Sequence, residues 1–285
     1  MIELNQLDLD PSGAGGFIDE LTGVDGAPPL SEHKMNRMGG GADARVAGWE
    51  TEGRLVAVSV AAYHGGDEPH WALEVATGLE LRTPEGEAAA LAAAASTVPA
   101  GAALSLWVRR AGQLEAAASL GYRERRRVIR MQGPLPDAIP PSDVVLGSES
   151  DVDDDALIEL HNRAFAGHRE ASGLTAERLA EMRAMSWYDP AGVVTAHLEG
   201  RLVGYCWTKL HDDGDGEVYL IAVDPEFHRR GLGGVLTTAG FQSLRHRGAR
   251  AASLWVDGDN APAIALYHRL GLVPTDVNIE MVKEL

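Results

Sequence analysis

The feature that most constrains this chain is an internal repeat. Gly-Arg-Leu-Val stands at 53–56 and again at 200–203, an offset of 147, and Ser-Leu-Trp-Val stands at 105–108 and at 253–256, an offset of 148. Each second tetrapeptide is followed by a short polar stretch and an apolar helical pattern that ends in Leu-Gly, at Leu120-Gly121 and at Leu270-Gly271. Matches in one order at a nearly constant offset require two copies of one domain, so the repeat decides the architecture before any motif is read. A length of 285 residues suits two such units. The expected domains are 1–140 and 147–285, joined by the proline-rich segment from Gly133 to Pro141, because proline ends strands and stiffens connections.

The second copy has the clearer pattern. Asp153-Asp154-Asp155 places acids at the positive end of a helix that runs to Phe165, and Thr175 can cap a second helix ending near Met185. Val193–His197, Leu202–His211 and Glu217–Val223 read as strands, with a hairpin loop at Asp212–Gly216. A helix from Gly231 to Arg247, a strand over Ala251–Val256, a helix over Asn260–Leu270 and a strand at Val277–Val282 complete the unit. The fold class is α+β, each domain a mixed, mostly antiparallel sheet flanked by helices. The alanine-rich run at 88–96 reads as the corresponding helix of the first copy.

Charge excludes one class of partner. The net charge of −17 divides evenly, −8 over 1–146 and −9 over 147–285, and no basic face or tail remains to grip phosphates, so no nucleic acid is expected. An acidic surface suits a cationic small molecule. The single cysteine, Cys206, cannot form an internal disulfide, and the amino terminus lacks the basic start and apolar run of a signal peptide. No run reaches the ~18 apolar residues that a membrane helix needs. The expected protein is a cytoplasmic monomer that does not engage membranes. Only three of its 25 basic residues are lysines, Lys34, Lys209 and Lys283.

The sharpest local signal runs from Val223 through Asp224-Pro225-Glu226-Phe227-His228-Arg229-Arg230-Gly231-Leu232-Gly233-Gly234. A strand ends, proline starts a turn, arginines follow and glycines open a helix whose bare amides can cradle an anion. This stretch resembles the pyrophosphate-binding turn of the Gcn5-related N-acetyltransferase (GNAT) superfamily, with His228 where that pattern often has Gln or Arg. Further on, Asp259-Asn260-x-x-Ala263-x-x-x-Tyr267-x-x-x-Gly271-Leu272 resembles the second superfamily motif. The resemblance implies an acetyl-CoA-dependent enzyme in which Ile221, Ala222, Val223, His228, Arg229, Arg230, Gly231, Leu232, Gly233, Gly234 and Asn260 hold the co-substrate. Amides near Ile221 and Val223 would stabilise the oxyanion. Glu217 would be the base and Tyr267 the acid that protonates the departing thiolate. The alternative readings are a packed aromatic for Tyr267 at helical spacing and a strand-edge carboxylate for Glu217.

The first copy lacks the motif. Thr77-Gly78-Leu79-Glu80-Leu81-Arg82-Thr83-Pro84-Glu85-Gly86 stands in its place, keeping one arginine and one glycine. Pro84 removes an amide donor and Glu85 brings a like charge toward the phosphate position. Arg109-Arg110-Ala111-Gly112 does not preserve Asp259-Asn260. The first domain is expected to bind acetyl-CoA weakly or not at all, and to serve as scaffold and substrate wall.

Further segments are Val24–Glu32, Phe165–Glu170, Trp187-Tyr188-Asp189-Pro190, Trp207-Thr208-Lys209 and Gly216-Glu217-Val218-Tyr219. Together they resemble the mycothiol synthase family of tandem GNAT enzymes. That resemblance implies acetylation of the cysteinyl amine of cysteinyl-glucosaminyl-inositol, the last step of mycothiol formation, with Glu32, Glu170, Lys209, Glu217 and Trp255 around the acceptor. Trp255 stands where the family usually has Tyr, Arg169 where it has Pro and Leu174 where it has Trp. Competing expectations are a GNAT enzyme acting on another small amine or a protein amino terminus, and a non-catalytic acyl-CoA-binding module. His161 and His168 have no third partner for zinc, so no metal is expected. Cys206 reads as a small buried side chain.

Overall fold

The computed structural model describes residues 2–7, 9, 11–39, 43–65, 69–167 and 173–283. The first half runs β1 (Asn5–Leu7), α1 (Pro11–Asp25), α2 (Glu32–Arg37), β2 (Ala44–Thr51), β3 (Arg54–His64), β4 (His70–Thr77), α3 (Pro84–Ala95), β5 (Leu104–Val108), α4 (Ala111–Ser119) and β6 (Arg123–Gly133). The second repeats the order from its strands onward. It comprises β7 (Val145–Ser148), α5 (Asp154–Ala164), α6 (Ala176–Arg183), β8 (Val193–Leu198), β9 (Arg201–Leu210), β10 (Asp215–Val223), α7 (Leu232–His246), β11 (Ala251–Asp257), α8 (Ala261–Arg269) and β12 (Val273–Val282).

Two compact units result, and their division differs from one drawn at the proline-rich segment. One comprises Met1–Val128 with Val277–Leu285, the other Ile129–Asp276. The end of each repeat's last strand is thus counted with the opposite repeat. In the first unit the order is β1-β2-β3-β4-β5 followed by the end of β12, which pairs antiparallel to β5 from Ile279↔Val108 to Val282↔Ser105. In the second unit the order is β7-β8-β9-β10-β11, then the end of β6. The proline-rich segment, expected as the linker, is fastened to α7. Gln242 donates to the Pro136 carbonyl at 2.6 Å, and Arg245 donates to the Leu135 carbonyl and the Asp137 carboxylate.

In the second unit α5 and α6 each start where a side chain caps them. Asp153 accepts from the Ala156 amide (2.8 Å) ahead of α5, and Thr175 accepts from the Arg178 amide (3.2 Å) ahead of α6. The expected hairpin loop at 212–216 is shorter than its sequence suggests. Gly214 takes φ +83 and the His211 amide donates to the Asp215 carbonyl at 2.9 Å, so β10 already begins at Asp215.

Both faces of this sheet are covered. Cys206, Val218, Leu236, Phe241, Leu244 and Leu254 form the core under α7, while Leu157, Leu160, Leu179, Tyr205, Trp207 and Ala222 form the core under α5 and α6. His161 belongs to the second core, sharing a 2.6 Å hydrogen bond with the Tyr205 hydroxyl, and His168 lies outside the described residues. Gly240 sets the helix–sheet spacing, since a Cβ there would lie 2.5 Å from Cys206 Sγ. Gly240→Ala should therefore lower stability by ~1–2 kcal/mol in urea, overpacking outweighing the gain in helix propensity. In a Cys206→Ala background the same change should be neutral or stabilising.

Candidate active site

The site is built around an interruption in β10. This strand pairs with β9 at Glu217↔Lys209 and Val218↔Thr208, skips Tyr219, and resumes at Leu220↔Trp207. A β-bulge of this kind shifts the side-chain alternation by one and bends the strand. Val218, Ile221 and Val223 consequently face the α7 core, whereas Leu220 and Ala222 face the α5–α6 core. On its other side β10 pairs parallel to β11 only from Asp215↔Ala251 to Val218↔Leu254, although β10 continues to Val223 and β11 to Asp257. Past Val218 the two strands splay.

The direction of the freed amides follows from the ladder. The Asp224 amide donates to the Val203 carbonyl at 2.9 Å, toward β9. Alternation then turns the Ile221 and Val223 amides away from β9 and into the splay. These are the two positions expected from the sequence to carry donors.

Beyond β10 the chain turns into α7 through a fixed carboxylate. Asp224 is fully buried, accepts from the Glu226 amide (3.1 Å), and binds Arg163 (3.0 Å) and Arg201 (2.8 Å). Burial disfavours its charge, but the amide and the two guanidiniums prevail and hold its pKa below the usual aspartate value. His228 Nε2–H donates back to the Val223 carbonyl at 3.1 Å, and Arg229 and Gly231 take positive φ of 64 and 80. No side chain caps α7, whose glycines Gly233 and Gly234 pack against Leu266 of α8. The first-turn amides of such a helix lack intrahelical acceptors and face anions favourably. His228, Arg229, Arg230 and Gly231 are exposed beside them. The residues present therefore fit a pyrophosphate.

Lys209, Glu217 and Ser253 form a row across β9, β10 and β11 on the α5–α6 face. Lys209 is nearly buried, its Nζ 5.0 Å from the centre of the Trp187 ring, which in turn lies 4.6 Å from the Tyr219 ring. Trp255 follows Ser253 by two residues on β11, hence on the same face, and is half-buried. Glu217 is not the exposed edge group one reading allowed; it sits on an interior strand and accepts from His211 Nε2–H at 2.7 Å. Beneath it Asp215 is buried and accepts from Arg130 (2.6 Å), Gln132 (3.1 Å) and Ser253 (2.5 Å). Sequence reasoning missed His211 and this support. Trp207, Lys209 and His211 do alternate on one strand face, a signal that was present.

The remaining expected residues divide three ways. Tyr267 is buried on α8 in the α7-side core, and burial, reinforced by Cys206, pushes its hydroxyl up to about 12. It therefore stays protonated at neutral pH. Asn260 caps α8, accepting from the Ala263 amide at 3.2 Å. Glu32 is exposed on α2 in the first unit, and Glu170 lies outside the described residues. Cys206 is fully buried, its thiol pushed up to about 12 by desolvation. Among the described residues no group of three or more His, Cys, Asp or Glu is arranged to hold a metal, and no helix is long and apolar enough to cross a membrane.

The corresponding turn of the first unit is occupied by its own side chains. The parallel ladder of β4 and β5 ends at Glu74↔Trp107 while β4 continues to Thr77, and Ser31 donates from its amide and hydroxyl to Glu74 at 2.6 and 2.5 Å. At the start of α3, Thr83 accepts from the Gly86 amide (3.1 Å), and Pro84 has no amide proton. Arg82 forms a two-pronged pair with Asp25 at 2.7 Å. Glu85, the carboxylate singled out in the sequence, is exposed, whereas Glu87 is buried against Arg110 (2.5 Å) and Thr77 (3.1 Å). Burial pushes the Glu87 carboxyl up in spite of Arg110.

A splayed parallel pair, an interrupted central strand and a glycine-opened helix together define a GNAT acetyltransferase, and residues 155–272 match the Acetyltransferase (GNAT) family. A GCN5-related N-acetyltransferase from Sphaerobacter thermophilus shares the fold over 100% of this chain and 97% of its own, with a TM-score of 0.74 at 21% identity. A tandem GNAT protein from the clavulanic acid biosynthesis pathway does so over 98% of each chain, with a TM-score of 0.66 at 18% identity. Among curated relatives, the mycothiol acetyltransferase of Nocardia farcinica is 34% identical over 90% of this chain and 88% of its own. That of Acidothermus cellulolyticus is 35% identical over 90% and 85%. A third, from Thermomonospora curvata, is 39% identical, but the match spans 62% of each chain. The chain belongs to the mycothiol acetyltransferase family and is an acetyl-CoA-dependent N-acetyltransferase.

The Asp224 anchor has a pH signature. A carboxyl held below its unfolded value contributes stability that is present above about pH 4 and is lost as pH falls through the folded pKa. Asp224→Asn should cost about 2 kcal/mol at pH 7. It should also flatten the fall of the urea midpoint below pH 4, and raise the KM for acetyl-CoA by loosening the turn.

Proposed function

We propose that the second unit transfers the acetyl group from acetyl-CoA to the cysteinyl amine of cysteinyl-glucosaminyl-inositol, in the cytoplasm. The observation that carries this reading is the row Lys209–Glu217–Ser253 beside the splay, with Trp187, Tyr219 and Trp255 around it. A carboxylate suits a cationic amine, the lysine can donate to hydroxyls or to the substrate carbonyl, and aromatic rings accept the apolar faces of sugars and cyclitols. The family supplies the rest, since the curated relatives are mycothiol acetyltransferases.

In this reading the amides of Leu232, Gly233 and their neighbours hold the pyrophosphate, with His228, Arg229, Arg230, Gly231 and Gly234 shaping the approach and Asn260 meeting the cofactor arm. The thioester lies in the splay, where the Ile221 and Val223 amides, flanking Ala222, receive the negative charge that develops on its oxygen. Glu217 takes the proton from the acceptor ammonium, directly or through one water, and the freed lone pair attacks the carbonyl carbon. Tyr267, reaching the splay from the α7 side, protonates the departing sulfur as the C–S bond breaks. The first unit acts as scaffold. Its turn binds acetyl-CoA weakly or not at all, because Thr83, Pro84, Arg82–Asp25 and buried Glu87 occupy the cradle. The protein works as a monomer without nucleic acid, membrane or metal.

The acceptor is tested by following loss of acetyl-CoA, or gain of acetylated product, with cysteinyl-glucosaminyl-inositol, glucosaminyl-inositol and a peptide amine in parallel. Turnover confined to the cysteinyl compound is expected, and turnover of the peptide would reassign the acceptor. Glu217→Gln and Tyr267→Phe should each lower kcat by roughly 10²-fold or more while leaving acetyl-CoA affinity nearly intact. A large affinity loss instead would make these residues co-substrate contacts.

A further inference from the structure

The Glu217 carboxylate is held by one side chain that neither the family motifs nor the substrate row supplies. His211 lies just past β9, where the turn through Gly214 brings it opposite Asp215 and within 2.7 Å of Glu217 Oε2. We propose that His211 is a positioning residue for the acetyl transfer, fixing one rotamer of Glu217 through Nε2–H and making the transfer depend on the protonation state of the imidazole. This rests on the reading of Glu217 as the base.

Among the described residues, Glu217, Lys209 and Asp215 are the charges that act most on the imidazole. Glu217 raises its pKa above the ordinary value of 6.5, acting against burial; Lys209 of β9 opposes that rise and Asp215 of β10 adds to it. Asp215 is itself shared with Arg130 and Gln132 of β6 and with Ser253, so it stays in place while His211 titrates. The two protonation states of the imidazole treat Glu217 differently. As imidazolium, His211 gives the carboxylate a charge-assisted hydrogen bond that the incoming acceptor must compete with. As neutral imidazole it keeps the Nε2–H, so the geometry survives while the competition weakens. Raising the pH through the His211 pKa therefore leaves Glu217 aimed and frees it for the acceptor. The same linkage acts on stability with opposite sign. A raised histidine pKa stabilises the fold fully below pH 6.5, and that contribution is lost as pH rises through the folded value. The step is a proton transfer alone: an acceptor N–H bond breaks and an O–H bond forms on Glu217, with His211 keeping its own proton.

The test compares the pH dependence of kcat at saturating acetyl-CoA for the wild type, His211→Gln and His211→Phe, beside a histidine-edited NMR titration of the wild type and Glu217→Gln. Glutamine keeps an N–H donor near the same place and does not titrate. The acceptor's own amine and thiol titrate alike against all three proteins, so differences among them belong to the enzyme. The expected results are an acid limb in the wild type that coincides with the NMR pKa of His211, above 6.5. That limb moves to lower pH in His211→Gln, whose plateau stays within ~10-fold of wild type, while the plateau falls further in His211→Phe. In Glu217→Gln the His211 pKa should drop. An acid limb unchanged in His211→Gln, or a His211 pKa indifferent to Glu217→Gln, would overturn the proposal even if Glu217→Gln is inactive. A fully active Glu217→Gln would instead sink the base reading from which it starts. Should His211→Phe not fold, the glutamine variant and the NMR titration decide the matter.

Discussion

The central constraint in the second unit is that the parallel ladder between β10 and β11 stops at Val218↔Leu254 although both strands continue. Beyond that point the Ile221 and Val223 amides are directed away from β9. The bulge at Tyr219 bends β10 and shifts its side-chain alternation, and Asp224 fixes the far end of the strand through Arg163 and Arg201.

The first unit gives an internal comparison, because the repeat reproduces the splay without the ligand surface. Its ladder ends in the same manner at Glu74↔Trp107, but Ser31 donates to Glu74 there and Thr83 accepts the Gly86 amide. In its β3–β4 pairing the first unit also lacks the bulge, and it caps the Gly86 amide with Thr83 and adds a buried carboxylate, Glu87, balanced by Arg110.

How much of this was legible in the sequence follows from how local each signal is. The turn from Val223 to Gly234 and the run from Asn260 to Tyr267 are contiguous, so their resemblance to the superfamily motifs was readable, and β9, β10, β11, α7 and α8 appear within a few residues of their expected bounds. Two features were invisible because they depend on pairing across the sheet. One is the bulge, since nothing in Glu217–Val223 marks Tyr219 as unpaired. The other is the counting of the ends of β6 and β12 with the opposite repeats, which puts the boundary inside β6 and not in the proline-rich segment. His211 lies between these cases. Its alternation with Trp207 and Lys209 was readable, but its partner Glu217 comes from the return strand. Glu85 and Glu87 show the converse, for the sequence pointed to the acid beside Pro84 and the fold buried the one a half-turn later.

The most direct test of the account is calorimetric titration of the full chain with acetyl-CoA in the absence of acceptor. A single open cradle at the start of α7, with its counterpart at α3 filled by side chains, predicts one strong binding event per chain. Two strong events per chain would contradict it, because the first unit would then hold a co-substrate where Thr83 already takes the Gly86 amide and Pro84 has no amide proton.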